Sequence, residues 1–129
     1  MPKVAIIRCE ENEDECPMTA CFASLKSRKA AFEIYEEECD LMGVYTCHCP
    51  GDCAVDLASD LKSRGAQVIH FCTCTFATQV EGRGWVMENG GLCNHDIDQI
   101  IERVHNATGL PCVKGTAHLP KNYTIQKWE

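Results

Sequence analysis

The sequence predicts an α/β fold, a single domain over residues 1–129 with an open, mainly parallel sheet of about four strands flanked by helices. Two observations carry this expectation. Short apolar runs alternate with helical stretches long enough to serve as crossover connections, and the first of those runs is continuously apolar, as a strand buried on both faces must be. A chain of 129 residues, 45% of them hydrophobic, holds one substantial core rather than two.

Val4 to Ile7 is the first apolar run, and it ends at Arg8-Cys9. The acidic stretch Glu10 to Glu15 is too charged to pack and reads as a solvated loop, with docking of a basic partner as its alternative role. A helix is expected from about Thr19 to Glu38, with Phe22, Leu25, Phe32 and Tyr35 as its buried stripe. Leu41 to Tyr45 forms the second strand and delivers the chain to Thr46-Cys47-His48-Cys49-Pro50-Gly51-Asp52-Cys53. The next helix carries Ala54, Leu57, Ala58 and Leu61 at i, i+3, i+4 and i+7, and Gly65 stops it.

Gln67 to Phe71 is the third strand and runs into Cys72-Thr73-Cys74. The connection from Thr75 to Leu92 is longer than an ordinary loop and is expected to serve function, with Trp85 either packing on the core or closing over a site. The third helix starts near Cys93-Asn94-His95-Asp96, capped by Asn94 or Asp96. Its apolar face is Ile97, Ile100, Ile101 and Val104, and Thr108-Gly109 ends it. Pro111 to Val113 opens a fourth strand, followed by Gly115-Thr116-Ala117-His118 and a polar tail.

A formal net charge of −7 excludes nucleic acid and anionic membrane surfaces as expected partners, because both reward basic patches. The opening residues hold too short an apolar run for an export signal, so a cytoplasmic location is expected. Eleven cysteines then acquire a particular meaning. Their odd number and the ordinary helix and strand patterns oppose a disulfide framework, which leaves metal ligation or redox chemistry.

Parallel sheets place their binding sites beyond the carboxyl ends of the strands, where Cys9, Cys47, Cys49, Cys72 and Cys74 all fall. Residues two apart in extended backbone face one way, so Cys47 with Cys49, and Cys72 with Cys74, can each present two sulfurs to one centre. Thiolates select zinc, copper(I) or iron–sulfur clusters. Cys53 and Cys93 sit near helix starts, and amides at the start of the second helix favour thiolates at Cys49 and Cys53. His48, His95 and His118 each accompany a cysteine or end a strand, whereas His70, His105, Cys39 and Cys112 read as structural.

The series Ile7-Arg8-Cys9, Cys16-Pro17 with Cys21-Phe22, Cys49-Pro50-Gly51, Gly65-Ala66 with Val68-Ile69-His70, Cys74, Cys93 with His95, and Gly115-Thr116-Ala117-His118 resembles the CGGC-domain family over nearly the whole chain. The resemblance implies a metal-binding domain, with zinc suggested, and marks Cys9, Cys16, Cys21, Cys49, Cys74, Cys93, His95 and His118 as its characteristic positions. The stretch aligned with Cys-Gly-Gly-Cys reads Thr46-Cys47-His48-Cys49 here, and Cys53 and Cys72 are additional. A four-ligand zinc site needs no such surplus, whereas a cluster, or two metal centres, can use it.

The expected function is therefore metal binding, with an iron–sulfur cluster preferred over zinc, in electron transfer or cofactor handling with a redox or metal-delivery protein partner. One alternative is a thiol-based redox enzyme or sulfur transferase using Cys9 or Cys49. The other is a non-catalytic binding or regulatory module whose acidic loop and long connection from Thr75 to Leu92 dock a basic partner.

Overall fold

The computed structural model describes residues 1–129. Strands β1 (Lys3–Cys9), β2 (Asp40–Cys47) and β3 (Val68–Phe71) are joined by helices α1 (Thr19–Ser27) and α2 (Ala54–Ser63). A two-stranded hairpin, β4 (Thr78–Val80) with β5 (Gly84–Val86), precedes α3 (Ile97–Thr108), β6 (Cys112–Lys114) and β7 (Gln126–Trp128). The main sheet has the order β2-β1-β3-β6-β7. Its first four strands are parallel, as expected, and β7 adds an antiparallel edge.

The sheet is covered on both sides. On one face Ala5, Ile7, Ile69 and Phe71 pack against Ala54, Ala58 and Leu61 of α2 and Ile100, Ile101 and Val104 of α3. On the other, Val4, Ile6, Val68, Cys72 and Val113 meet Met18, Leu25, Ala31 and Phe32. The period-two alternation of strand side chains produces this division. Helix α3 begins where Asp96 accepts a hydrogen bond from the Gln99 amide at 3.2 Å, and it ends on Gly109 at φ 73°.

The single helix expected over Thr19–Glu38 is broken. Helix α1 stops at Ser27 because Arg28 adopts the left-handed conformation at φ 55°. The Arg28 amide bonds the Leu25 carbonyl and the Lys29 amide bonds the Ser24 carbonyl at 2.9 Å, the paired closure that normally calls for glycine. A 3-10 turn over Ala30–Ile34 then buries Ala31 and Phe32 completely, while Phe22 of the expected stripe lies 38% exposed. The Ala31 amide donates to the Thr116 carbonyl at 3.0 Å, so the turn is tied to the loop beyond β6.

The connection after β3 is also ordered. The hairpin β4–β5 projects from it, and the return leg bonds back through the Leu92 amide to the Cys74 carbonyl at 2.7 Å and the Cys93 amide to the Thr75 carbonyl at 3.3 Å. No helix is long and apolar enough to cross a membrane.

Candidate metal centre

Strand parity decides where the thiols go. Cys9 closes β1 in register with Cys47 of β2, and it shares with Ile7 the cleft lined by Ile97 and Ile100 of α3. Cys72 comes one residue after Phe71 and therefore turns to the α1 face, where it joins Val4 and Ile6. The strand-end cysteines consequently lie on both sides of the sheet, in two pockets.

The pocket on the α2/α3 face is a cleft lined by Cys9, Cys47, Cys49, Cys93 and His95. Gly51 lines it at φ 95°, a backbone conformation that favours glycine, and a Cβ there would stand 2.7 Å from the tip of the Ile100 side chain. Burial pushes the Cys9 thiol up, and charge on Cys74, Cys49 and Cys93 adds to that effect. Cys47 is pushed up to about 12 by burial and by its neighbour Cys53. Cys49 is raised by desolvation and then by Glu10 and Glu11, which outweigh the helix start expected to favour its thiolate.

The loop after β2 organises the remaining sulfur on this side. The thiols of Cys47 and Cys53 both donate to the His48 carbonyl, at 3.9 and 3.6 Å, while the His48 amide donates to the Cys53 sulfur at 3.4 Å. Cys53 thus sits at the N-cap of α2, just outside the cleft lining. At the mouth, His48 Nδ1 meets Glu10 Oε2 at 2.5 Å. Oxygens of Glu10 and Glu11 and the Cys49 sulfur lie within 4.8 Å of one another, the only three metal-ligating groups that close together.

The pocket on the α1 face contains Cys16, Cys21, Cys72, Cys74 and His118, with Trp85 at its edge. Polar donors point at its sulfurs. The Met18 amide donates to Cys16 at 3.4 Å and Asn12 Nδ2 to Cys74 at 3.6 Å, and the Thr116 hydroxyl lies 3.2 Å from Cys21. The Cys21 thiol is lowered to about 6 by its hydrogen bond with Cys72, helped by Thr116, the Ala117 amide and the charge of Arg8. Cys74 is lowered by the same Cys72 thiol, whose own pKa is correspondingly raised.

Arg8 braces this pocket. Its Nη2 donates to the carbonyls of Asn12 at 3.2 Å and Cys16 at 2.8 Å, while its Nε is buried without a partner. Trp85 stacks on His118, ring centroids 5.1 Å apart and planes 3° apart, so the hairpin lies across the pocket rather than in the core.

The residues read as structural are engaged elsewhere. His70 is fully buried, bonded to the Gly115 carbonyl at 2.8 Å and the Tyr35 hydroxyl at 2.7 Å, and burial lowers its pKa to about 4. His105 bonds the Leu110 carbonyl at 2.8 Å. Cys112 is completely buried and Cys39 packs beside the α1-face core. Asn12, Thr116 and Arg8 escaped sequence reasoning, since a donor aimed at a sulfur across the fold leaves no local pattern.

Both pockets offer soft donor sets, as metal binding by thiolate requires. A family model for the CGGC domain matches residues 3–117 of the 129-residue chain. Comparison with curated proteins gave no match, nor did comparison with solved structures. The family and the cysteine content together suggest a metal-binding role. With the match spanning every parallel strand and all eleven cysteines, the chain belongs to the CGGC domain family.

Proposed function

We propose that the pocket on the α1 face holds an iron–sulfur cluster through Cys16, Cys21, Cys72 and Cys74, and that the protein is an electron carrier or a cofactor-handling module. The observation that carries this reading is the set of polar groups at the sulfurs: the Met18 amide and the Asn12 amide group donate to Cys16 and Cys74, and the Thr116 hydroxyl is in hydrogen-bond contact with Cys21. Hydrogen bonds to cysteine sulfur stabilise the thiolate form that clusters require, and they help set the potential. The buried Arg8 Nε lacks a partner, and the charge of Arg8 helps lower the Cys21 and Cys74 thiols, which suits an anionic group in this pocket.

Spacing supports a cluster over a single ion. Zinc–sulfur bonds of about 2.3 Å place tetrahedral ligand sulfurs roughly 3.8 Å apart. No three of these sulfurs lie within 4.8 Å of one another, so a multi-atom centre asks for less movement. When bound, a cluster supplies one-electron transfer. The chain's own residues hold it, shield it behind Trp85 and direct polar hydrogens at its thiolates. The exposed Glu11, Glu13 and Asp14, beside half-buried Glu10, then suit the basic face of a redox or metal-delivery partner.

Protein purified without oxygen is expected to contain iron and acid-labile sulfide and to absorb visible light, with Cys21→Ser and Cys74→Ser each losing that absorption. Zinc in place of iron at the same cysteines would overturn the cluster. A metal-free protein whose stability is unchanged by chelators would overturn metal binding altogether.

A second reading, thiol-based redox chemistry, is favoured by one observation. Cys21, rather than Cys9 or Cys49, has the lowered pKa, about 6, that makes a thiolate abundant at neutral pH. In chelator-treated protein Cys21 should then alkylate fastest. Its rate should rise as pH climbs through about 6 and level off above, as the thiol loses its proton. Equal, slow alkylation of every thiol would sink this reading.

A further inference from the structure

We infer that Cys47 and Cys53 are a dithiol that closes to a reversible disulfide on meeting a low-molecular-weight disulfide, a covalent redox site apart from the pocket proposed to hold the cluster. The two thiols face each other across one tight turn. Cys47 is the last residue of β2, in register with Cys9 of β1, and Cys53 caps α2, its carbonyl accepting from the Leu57 amide at 3.0 Å. Strand and helix therefore hold both backbones. Between them the Gly51 amide bonds the His48 carbonyl at 2.8 Å and the Ala54 amide bonds the Gly51 carbonyl at 3.1 Å, while Glu10 holds the His48 ring at 2.5 Å.

Both thiols point at one atom. The His48 carbonyl oxygen accepts from Cys47 at 3.9 Å and from Cys53 at 3.6 Å, and Cys53 is the neighbour that, after burial, most raises the Cys47 thiol. Two sulfurs so placed suit a bond between them, whereas a metal needs more donors. The three metal-ligating groups that lie within 4.8 Å of one another are Glu10, Glu11 and Cys49, so neither Cys47 nor Cys53 has two further ligands at that spacing.

Oxidation also leaves nothing stranded. When the thiol hydrogens depart, the His48 carbonyl keeps the Gly51 amide as its donor. Both cysteines are half-buried, within reach of a dissolved reagent, unlike the completely buried Cys112. A bridge from residue 47 to residue 53 would tie the end of β2 to the start of α2 and fix the loop that brings Cys49 and Gly51 to the cleft.

The exchange takes two displacements. The Cys53 thiolate attacks one sulfur of the small disulfide, whose S–S bond breaks with its electron pair going to the departing thiolate, and Cys53 becomes a mixed disulfide. The Cys47 thiolate then attacks the Cys53 sulfur and expels the second small thiolate. The leaving thiolates take up the two protons that the protein thiols release. Two protein thiols are thereby oxidised to a disulfide, and one small disulfide is reduced to two thiols. Cys53 acts first because the His48 amide donates to its sulfur at 3.4 Å, a support for negative charge that Cys47 lacks.

Glutathione disulfide is the probe, added without oxygen to the full chain after its iron content has been measured, and the remaining thiols are then alkylated. Cleavage before Asp52 parts Cys47 from Cys53, so their peptides stay joined only through a bridge, and fragment ions locate it. Peptides joined at 47 and 53 are expected, and dithiothreitol should separate them. Cys47→Ser should abolish the bridge and trap glutathione on Cys53, Cys53→Ser should abolish it without that trap, and Cys49→Ser should leave it in place. Iron and sulfide should stay at the wild-type level in Cys47→Ser and Cys53→Ser, since neither residue is among the four cysteines proposed for the cluster.

A chain that forms no bridge in excess glutathione disulfide, or one whose bridge runs from Cys49 and survives Cys47→Ser, would overturn the inference. Iron lost from either serine variant would do so too, by placing these thiols in the cluster. Protein that lacks iron yet forms the 47–53 bridge would refute the cluster and uphold this site.

Discussion

Gly91→Ala should displace cysteines of both pockets, release the metal proposed for the α1-face pocket and lower stability by about 3 kcal/mol, at the upper end of what overpacking costs. A Cβ at Gly91 would stand 2.4 Å from the Cys74 carbonyl oxygen, 2.5 Å from the Phe76 nitrogen and 2.6 Å from the Thr75 carbonyl carbon. These are backbone atoms, and they cannot rotate aside as a side chain can. The same contact region pairs Leu92 with Cys74 and Cys93 with Thr75, so relief of the clash must shift a cysteine of each pocket. Gly90→Ala is the control: nothing lies within 4 Å of its Cβ, and its φ of 68° brings only local strain. Denaturant titration and elemental analysis read the two effects. Wild-type metal content in Gly91→Ala would show that the 74–93 contact does not position the ligands.

The second large effect is on folding. Phe32→Ala is expected to cost about 3–5 kcal/mol, a substantial share of the stability of a small domain. Phe32 is completely buried and its ring stacks on His70 at 4.3 Å. Removing it leaves a void beneath the turn whose Ala31 amide holds the Thr116 carbonyl, and Thr116 is the residue whose hydroxyl reaches Cys21. On the proposed cluster, iron content should therefore fall along with stability. Phe22→Ala, at a 38% exposed position of α1, should change stability by no more than about 0.5 kcal/mol. Equal effects at the two positions would refute the role given to the broken helix.

Elements with a strong period were legible in the sequence. Ala54, Ala58 and Leu61 of α2, and Ile100, Ile101 and Val104 of α3, are buried as their spacing implies. The break at Arg28 was not legible, because a charged residue occupies the left-handed position where glycine ordinarily marks the stop. Strands of three residues, as in β4, β5 and β7, are too short to show alternation, so a loop and a polar tail were expected there.

Within the site, the cysteine-bearing strand ends were readable, since parallel topology fixes them. Their division between faces follows from counting residues: Cys9 is two after Ile7, and Cys72 one after Phe71. That count yields faces only once helices have been assigned to each side. The contacts of Asn12 with Cys74 and Thr116 with Cys21 span 62 and 95 residues, and no local pattern encodes such distances.

The antiparallel strand β7 has a consequence for self-association. An unpaired edge on β6 would offer a second molecule a row of free amides and carbonyls, and in a thiol-rich protein such pairing invites intermolecular disulfides. Three residues of β7 occupy that edge, with exposed Gln126 and Lys127 and with Glu129 just beyond. At the opposite edge β2 begins with exposed Asp40 and pairs through an irregularity at Val4/Ala5. The β7 border is thus short and charged, and the eight-residue β2 border is interrupted near its start.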